Sequence, residues 1–187
     1  MKHHIHIILA AVCLATIGVL TKLIGDAVPV MTLNFYRMFF GMIFLLITVP
    51  FYDMKAFEVT GKDLKEYACV GLAFAVAMSL YTASIIYAPV QNAVLIHYAY
   101  PIVVLLLAAA FLHESITRTK VISLTISIIA LMIINPLQAG GEQLGNILGI
   151  FGAVAYAIVV ILMRIADKKH GIGDVFWFLC FGSVFLL

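Results

Sequence analysis

Six apolar stretches dominate the chain: Ile5 to Leu23, Thr32 to Val49, Tyr67 to Tyr87, Asn92 to Leu112, Val121 to Leu137 and Ile147 to Ile165. Each approaches or meets the roughly 20 mostly apolar residues that a helix needs to cross a hydrocarbon core of roughly 30 Å. In lipid, backbone polar groups must be satisfied within their own segment, so isolated runs of this kind fold as transmembrane helices. A seventh run starts at Val175 and is still apolar at Leu187. Composition agrees, because 65% of the 187 residues are apolar and 11% charged, whereas a soluble domain has about 45–50% and about 25%. A soluble enzyme is thereby excluded. A net charge of +2 with no basic stripe also excludes a nucleic-acid partner. The partners expected are the lipid bilayer, a small-molecule substrate and a second copy of the chain as a homodimer.

The charged residues orient the spans. Lys2, Lys55, Lys62, Lys65, Arg118, Lys120, Arg164, Lys168 and Lys169 fall on alternate connections, which places them on one side of the membrane. Only Lys22 and Arg37 stand apart from them. The positive-inside rule makes the crowded side cytoplasmic, together with the N-terminus, in a multi-pass plasma-membrane protein. Tyr67 and Tyr87, at the two ends of the third span, read as interfacial anchors. Asn135-Pro136 and Ala139-Gly140-Gly141 mark a break between the fifth and sixth spans.

An internal repeat sets the architecture. At an offset of 141 residues, Phe35, Phe40, Gly41, Phe44, Leu45 and Leu46 meet Phe176, Phe181, Gly182, Phe185, Leu186 and Leu187. At 142, Ala11, Val12, Ala15 and Leu20 meet Ala153, Val154, Ala157 and Leu162, and Lys22 meets Arg164. Five spans separate equivalent positions, an odd number, so the second unit enters the membrane from the opposite side. Inverted repeats of this kind characterise secondary transporters, whose substrates sit near the midplane between the units. The expected fold class is an all-α integral membrane protein, a polytopic bundle of inverted five-helix repeats with seven helices present of ten. Residues 1–140 form the first repeat and 141–187 the truncated start of the second.

Candidate functional residues follow from polarity inside the spans. Arg37 is a charge within the second span and shares a helix face with Asn34 and Gly41. It reads either as a cation facing a polar cavity or as structural glue that snorkels or binds carbonyls. In the fourth span, Pro101 removes a backbone N–H and predicts a kink beside His97 and Tyr100; the alternative is a packed kink filled by aromatic rings. Arg37, Tyr81 and His97 fall at one depth on three helices. Lys22 would add charge to the outer part of the cavity. The stripe Gly71, Ala75, Ser79 and Ala83 predicts close helix packing, and the run Gly141, Gly145, Gly149 is a weaker version that begins in a loop.

The dispersed Cys13, Cys69 and Cys180 suggest neither a disulfide nor a metal site, and His3, His4 and His6 read as a polar flank. No metal, no cofactor and no catalytic residue is expected. An intramembrane enzyme would need Ser79, Ser84 or His97 oriented by a buried acid, and every Asp and Glu lies in a loop or at a helix end. A third reading is a non-transporting membrane subunit that completes its bundle with another chain.

These residues resemble the EamA-type family of the drug/metabolite transporter superfamily. Ala15 to Lys22 resembles the family's first-span stretch, with Leu14-Ala15 where Trp-Gly often stands. Arg37-Met38-Phe39-Phe40 resembles its Arg-Phe motif. Pro101 to Thr117 is similar to its pattern of a proline, an apolar run, Gly-Glu and a Thr. Glu114 matches the motif glutamate, while His113 replaces the glycine and puts the tight turn in question. Gly145 to Arg164 looks like the start of the second repeat. The resemblance implies ten helices, cytoplasmic termini and efflux of amino acids, other metabolites or drugs by alternating access.

Overall fold

The computed structural model describes residues 2–51, 57, 59–134, 143–166 and 171–187. It is all-helical over these residues: α1 (Lys2–Ile24), α2 (Val30–Thr48), α3 (Gly61–Tyr87), α4 (Val90–His97), α5 (Tyr100–Phe111), α6 (Arg118–Ile134), α7 (Gln143–Ile165) and α8 (Ile172–Phe185), with short 3-10 turns after α1 and α2. Four segments among the described residues are long and apolar enough to cross a membrane: Val30–Phe51, Asp63–Tyr87, Val90–Phe111 and Gln143–Ile165. The third of these comprises α4 and α5, so the fold is that of a polytopic helical membrane protein. The break at Asn135 to Gly141, the 140/141 repeat boundary and the side chains of His3, His4 and His6 lie outside the described residues.

Local chemistry sets the helix starts. Pro29 and Pro89 immediately precede α2 and α4, where a fixed φ costs nothing and no N–H is lost from the helix. At α3 the Thr60 amide donates to Asp63 Oδ2 at 2.9 Å in a capping box. The Gly171 amide donates to Asp174 Oδ2 at 3.0 Å in the same way at α8.

The helix α3 is the hub of the bundle, with α7, α8, α2, α4 and α1 packed around it. Its 27 residues span about 40 Å. Pairings along it give each neighbour's direction. Gly145 of α7 lies against Tyr87 and Ala88, Gly149 against Ser84 and Gly152 against Leu80 and Tyr81, so α7 runs antiparallel to α3. Asp174 bonds Tyr67, and Phe178 and Gly182 lie on Gly71, so α8 runs parallel to it. Asn34 meets Thr82 while Met38 and Gly71 both lie on Gly182, so α2 runs antiparallel, and Ile17 and Gly18 line a cavity with Tyr81 while Lys22 reaches Ile85 to Ala88, so α1 runs parallel. Thus α7 is opposed to α1, and α8 to α2. Glu114, Tyr67, Arg164 and Asp174 share one end of the bundle, and Lys22 and Gly145 share the other.

The closest approaches are made by glycines. A Cβ on Gly71 would sit 2.7 Å from the Phe178 carbonyl oxygen and 2.9 Å from the Gly182 nitrogen. One on Gly145 would sit 2.6 Å from the Tyr87 carbonyl carbon. Within the small-residue stripe on α3, Gly71 thus makes the close helix contact that the spacing predicts, and Ala75 is buried. The glycine run on α7, which looks weaker in sequence, makes a contact just as close. Tyr67, at one end of the bundle, is 6% exposed and its hydroxyl donates to the Asp174 carboxylate. Tyr87 is 40% exposed.

Candidate functional site

A cavity of about 650 Å³ lies where α1, α2, α3, the α4–α5 break, α7 and α8 converge. Its position follows from the helix break. α4 ends at His97 and α5 begins at Tyr100 with Pro101 in its first turn. Across the gap the Ala99 amide donates to Ile96 at 3.1 Å and the Ile102 amide to Ala99 at 3.0 Å, three-residue bonds in place of four-residue ones. The proline kink expected from sequence is thus a two-residue 3-10 break at Tyr98 and Ala99 within one continuous span, and His97, Tyr98 and Tyr100 around it line the same space.

One wall is polar. Asn34 is 1% exposed and Thr82 0%. Thr82 Oγ1 donates to Asn34 Oδ1 at 3.1 Å, and Asn34 Nδ2 donates to the Val30 carbonyl at 3.1 Å. The Arg37 guanidinium reaches this pair through Nη1, at 3.4 Å from Asn34 Oδ1 and 3.3 Å from Thr82 Oγ1. Both contacts are long for N–H···O bonds and both acceptors are neutral. The other wall is aromatic. Tyr81 and His97 stack with centroids 4.1 Å apart and planes 26° apart. Tyr156 meets His97 edge-on at 5.2 Å and Tyr100 at 4.8 Å. Phe74, in contact with Phe178 at 5.1 Å, continues this aromatic layer toward the Glu114 end.

The structure brings Asn34, Arg37, Tyr81, His97 and Tyr100 around this one cavity. Pro101 does not line it; it shapes the break and borders a separate groove with Glu114, Lys120 and Arg164. Lys22 is not a cavity charge either. Its ammonium donates to the carbonyls of Ile85 at 2.9 Å, Ile86 at 2.7 Å and Ala88 at 2.9 Å, capping the C-terminus of α3 where carbonyls lack helical partners and the dipole is negative. Carbonyl capping, one of the roles weighed for Arg37, thus belongs to Lys22. Sequence reasoning missed Tyr98, Tyr156, Phe74 and Thr82. Thr82 was findable, since it is a hydroxyl within the third span next to Tyr81; Tyr156 lies on α7, whose facing depends on packing.

The EamA-like transporter family matches residues 1–135. The chain belongs to this family. No curated protein and no solved structure matches it. EamA-like proteins are membrane transporters of the drug/metabolite superfamily, which makes the cavity the natural candidate for the solute site.

The motif region of this EamA-like chain also settles the turn in question at His113. The residue adopts φ 53°, the left-handed conformation that glycine takes most cheaply, so the tight turn forms without the glycine. The amides of Leu112 and Glu114 both return to the Ala108 carbonyl, at 3.0 and 3.2 Å. A non-glycine residue here carries a cost of about 1 kcal/mol. His113→Gly is expected to raise the unfolding free energy by up to that amount, measured by thermal denaturation in detergent.

Glu114 itself ties two elements together. Its Oε2 accepts from Lys120 Nζ at 3.0 Å and its Oε1 from Arg164 Nη1 at 2.8 Å, joining the α5–α6 connection to the end of α7. The Lys120 bond, and then the Arg164 charge, hold its carboxyl below the ordinary value of 4.5. A depressed folded-state value means the ionised clasp contributes fully above the ordinary carboxylate range and is lost as pH falls through the depressed value. The stability difference between the native chain and Glu114→Gln is therefore expected at pH 7 and should shrink on acidification below pH about 4. It will be small, because the clasp is solvent-exposed.

Proposed function

We propose that the chain forms a secondary transporter that exports small organic solutes by alternating access, with the 650 Å³ cavity as its central binding site. The observation that carries this reading is the convergence of an intramembrane arginine, a buried Asn–Thr pair and a cluster of aromatic rings at an interrupted helix. Broken helices at the bundle centre are the usual way transporters bring polar groups to the midplane. The opposed directions of α7 and α1, and of α8 and α2, support an inverted relation between two units. The partition of Lys65, Arg118, Lys120 and Arg164 to one end and Lys22 to the other supports a cytoplasmic Glu114 end and N-terminus in the plasma membrane.

In the proposed cycle, the tight packing of Gly71 on α8 and the Tyr67–Asp174 bond close the Glu114 end, and separation of α8 from α3 opens it. The test is side-specific labelling. Tyr98 lines the cavity and is 46% exposed, so Tyr98→Cys is introduced into a chain with Cys13, Cys69 and Cys180 replaced by alanine. In oriented vesicles, an impermeant maleimide is expected to label it from either side, with transported solute changing the ratio of the two rates. Labelling from one side only, unaffected by any solute and without flux, would rule out alternating access.

A further inference from the structure

We propose that the cavity selects organic anions that combine a carboxylate with a planar aromatic ring and carry no ammonium group, an inference that rests on the transporter reading above. Arg37 is the only permanently charged residue among the described residues that line the cavity, and none of these is Asp or Glu. The ion pairs found among the described residues all belong to Glu114, so among these residues Arg37 has no carboxylate partner and makes two long bonds to neutral oxygens. A cation held in an apolar bundle without a counter-charge is costly and favours an anion brought in by the ligand. A planar guanidinium suits a carboxylate in particular, because its remaining N–H donors form a fork of matching geometry.

The aromatic wall specifies the rest of the molecule. Arg37, Tyr81 and His97 line the same cavity, so the cationic end shares that space with the stacked Tyr81–His97 pair. Tyr100 and Tyr156 extend the wall with edge-to-face geometry. Rings so disposed accept a further flat ring by stacked or edge contacts, which an aliphatic chain gains less from. An ammonium group finds no acidic partner in this lining and meets Arg37 as a like charge, which disfavours amines strongly and zwitterions more weakly.

The test is a ligand series on the full chain in nanodiscs, read by the shift in thermal unfolding. Benzoate is expected to bind at least tenfold more tightly than acetate or cyclohexanecarboxylate, and more tightly than phenylalanine or benzylamine. Arg37→Gln should weaken benzoate at least tenfold, and Tyr81→Leu should narrow the gap between benzoate and cyclohexanecarboxylate. The series on the unaltered protein stands even if either variant fails to fold. Equal affinity for acetate and benzoate, benzylamine binding as tightly as benzoate, or no binding by any carboxylate overturns the proposal. Flux in vesicles separates it from the transporter reading: flux of amines or aliphatic solutes with no binding of benzoate refutes the aromatic-anion site and keeps the transporter, whereas benzoate selectivity without flux of any solute supports the site and refutes the transporter.

Discussion

Replacing Gly145 or Gly71 by alanine is expected to destabilise the bundle by about 1–3 kcal/mol each, the largest stability losses available from adding one methyl group. At Gly145 the new Cβ would lie 2.6 Å from the Tyr87 carbonyl carbon and 2.7 Å from the Ala88 nitrogen. These are backbone atoms, which cannot rotate aside as a flexible side chain would, so α3 and α7 must separate and give up contacts along the interface. At Gly71 the obstacles are the Phe178 carbonyl oxygen and the Gly182 nitrogen, again backbone. Gly61 is the control: a Cβ there meets nothing within 4 Å, and Gly61→Ala should be neutral or slightly stabilising through helix propensity. Denaturation of the three variants in the same detergent checks the ordering. Equal stability of Gly145→Ala and Gly61→Ala would show that α7 does not seat on α3 as described.

The second large effect concerns Arg37. In vesicles, Arg37→Ala is expected to lower solute flux about 100-fold, corresponding to about 3 kcal/mol for a charge-assisted contact in a desolvated site. The same substitution should leave thermal stability nearly unchanged. Its two bonds, at 3.3 and 3.4 Å to neutral oxygens, are weak, and the Asn34–Thr82 bond at 3.1 Å does not need it. Removing a half-buried cation that forms no ion pair among the described residues also removes a desolvation cost. A structural arginine would behave in the opposite way, with a clear drop in stability and a proportionate loss of flux. Measuring both quantities on one preparation decides between the two roles left open by the sequence.

The residues differ in how far their roles can be read without the fold. Pro101 announces the helix break because the missing N–H is a covalent fact that neighbours cannot alter. Arg37 stands out because a charge within a span is costly wherever the helix faces. His113 is the converse: the motif puts its turn in question, and only its backbone angle shows that a non-glycine residue holds the left-handed position. Lys22 looks like a cavity charge because its depth is legible from the span and its direction is not; the nearby carbonyls of α3 decide it. The partner of Tyr67 is hidden for the same reason, since Asp174 lies far along the chain on α8.

The sequence by itself determined that the chain is a helical membrane protein of the EamA-like family, and which of its spans carry charged and polar side chains. Hydrophobic length, charge placement and the chemistry of proline act locally, so each is written in consecutive residues. The tertiary structure alone decided which polar groups face one another. Arg37, Thr82, Tyr81, His97 and Tyr156 meet on four helices only because glycines at 71 and 145 let α7 and α8 seat closely on α3. Rotation of an apolar helix about its own axis is set by such contacts between distant segments. Span length carries almost no record of that rotation.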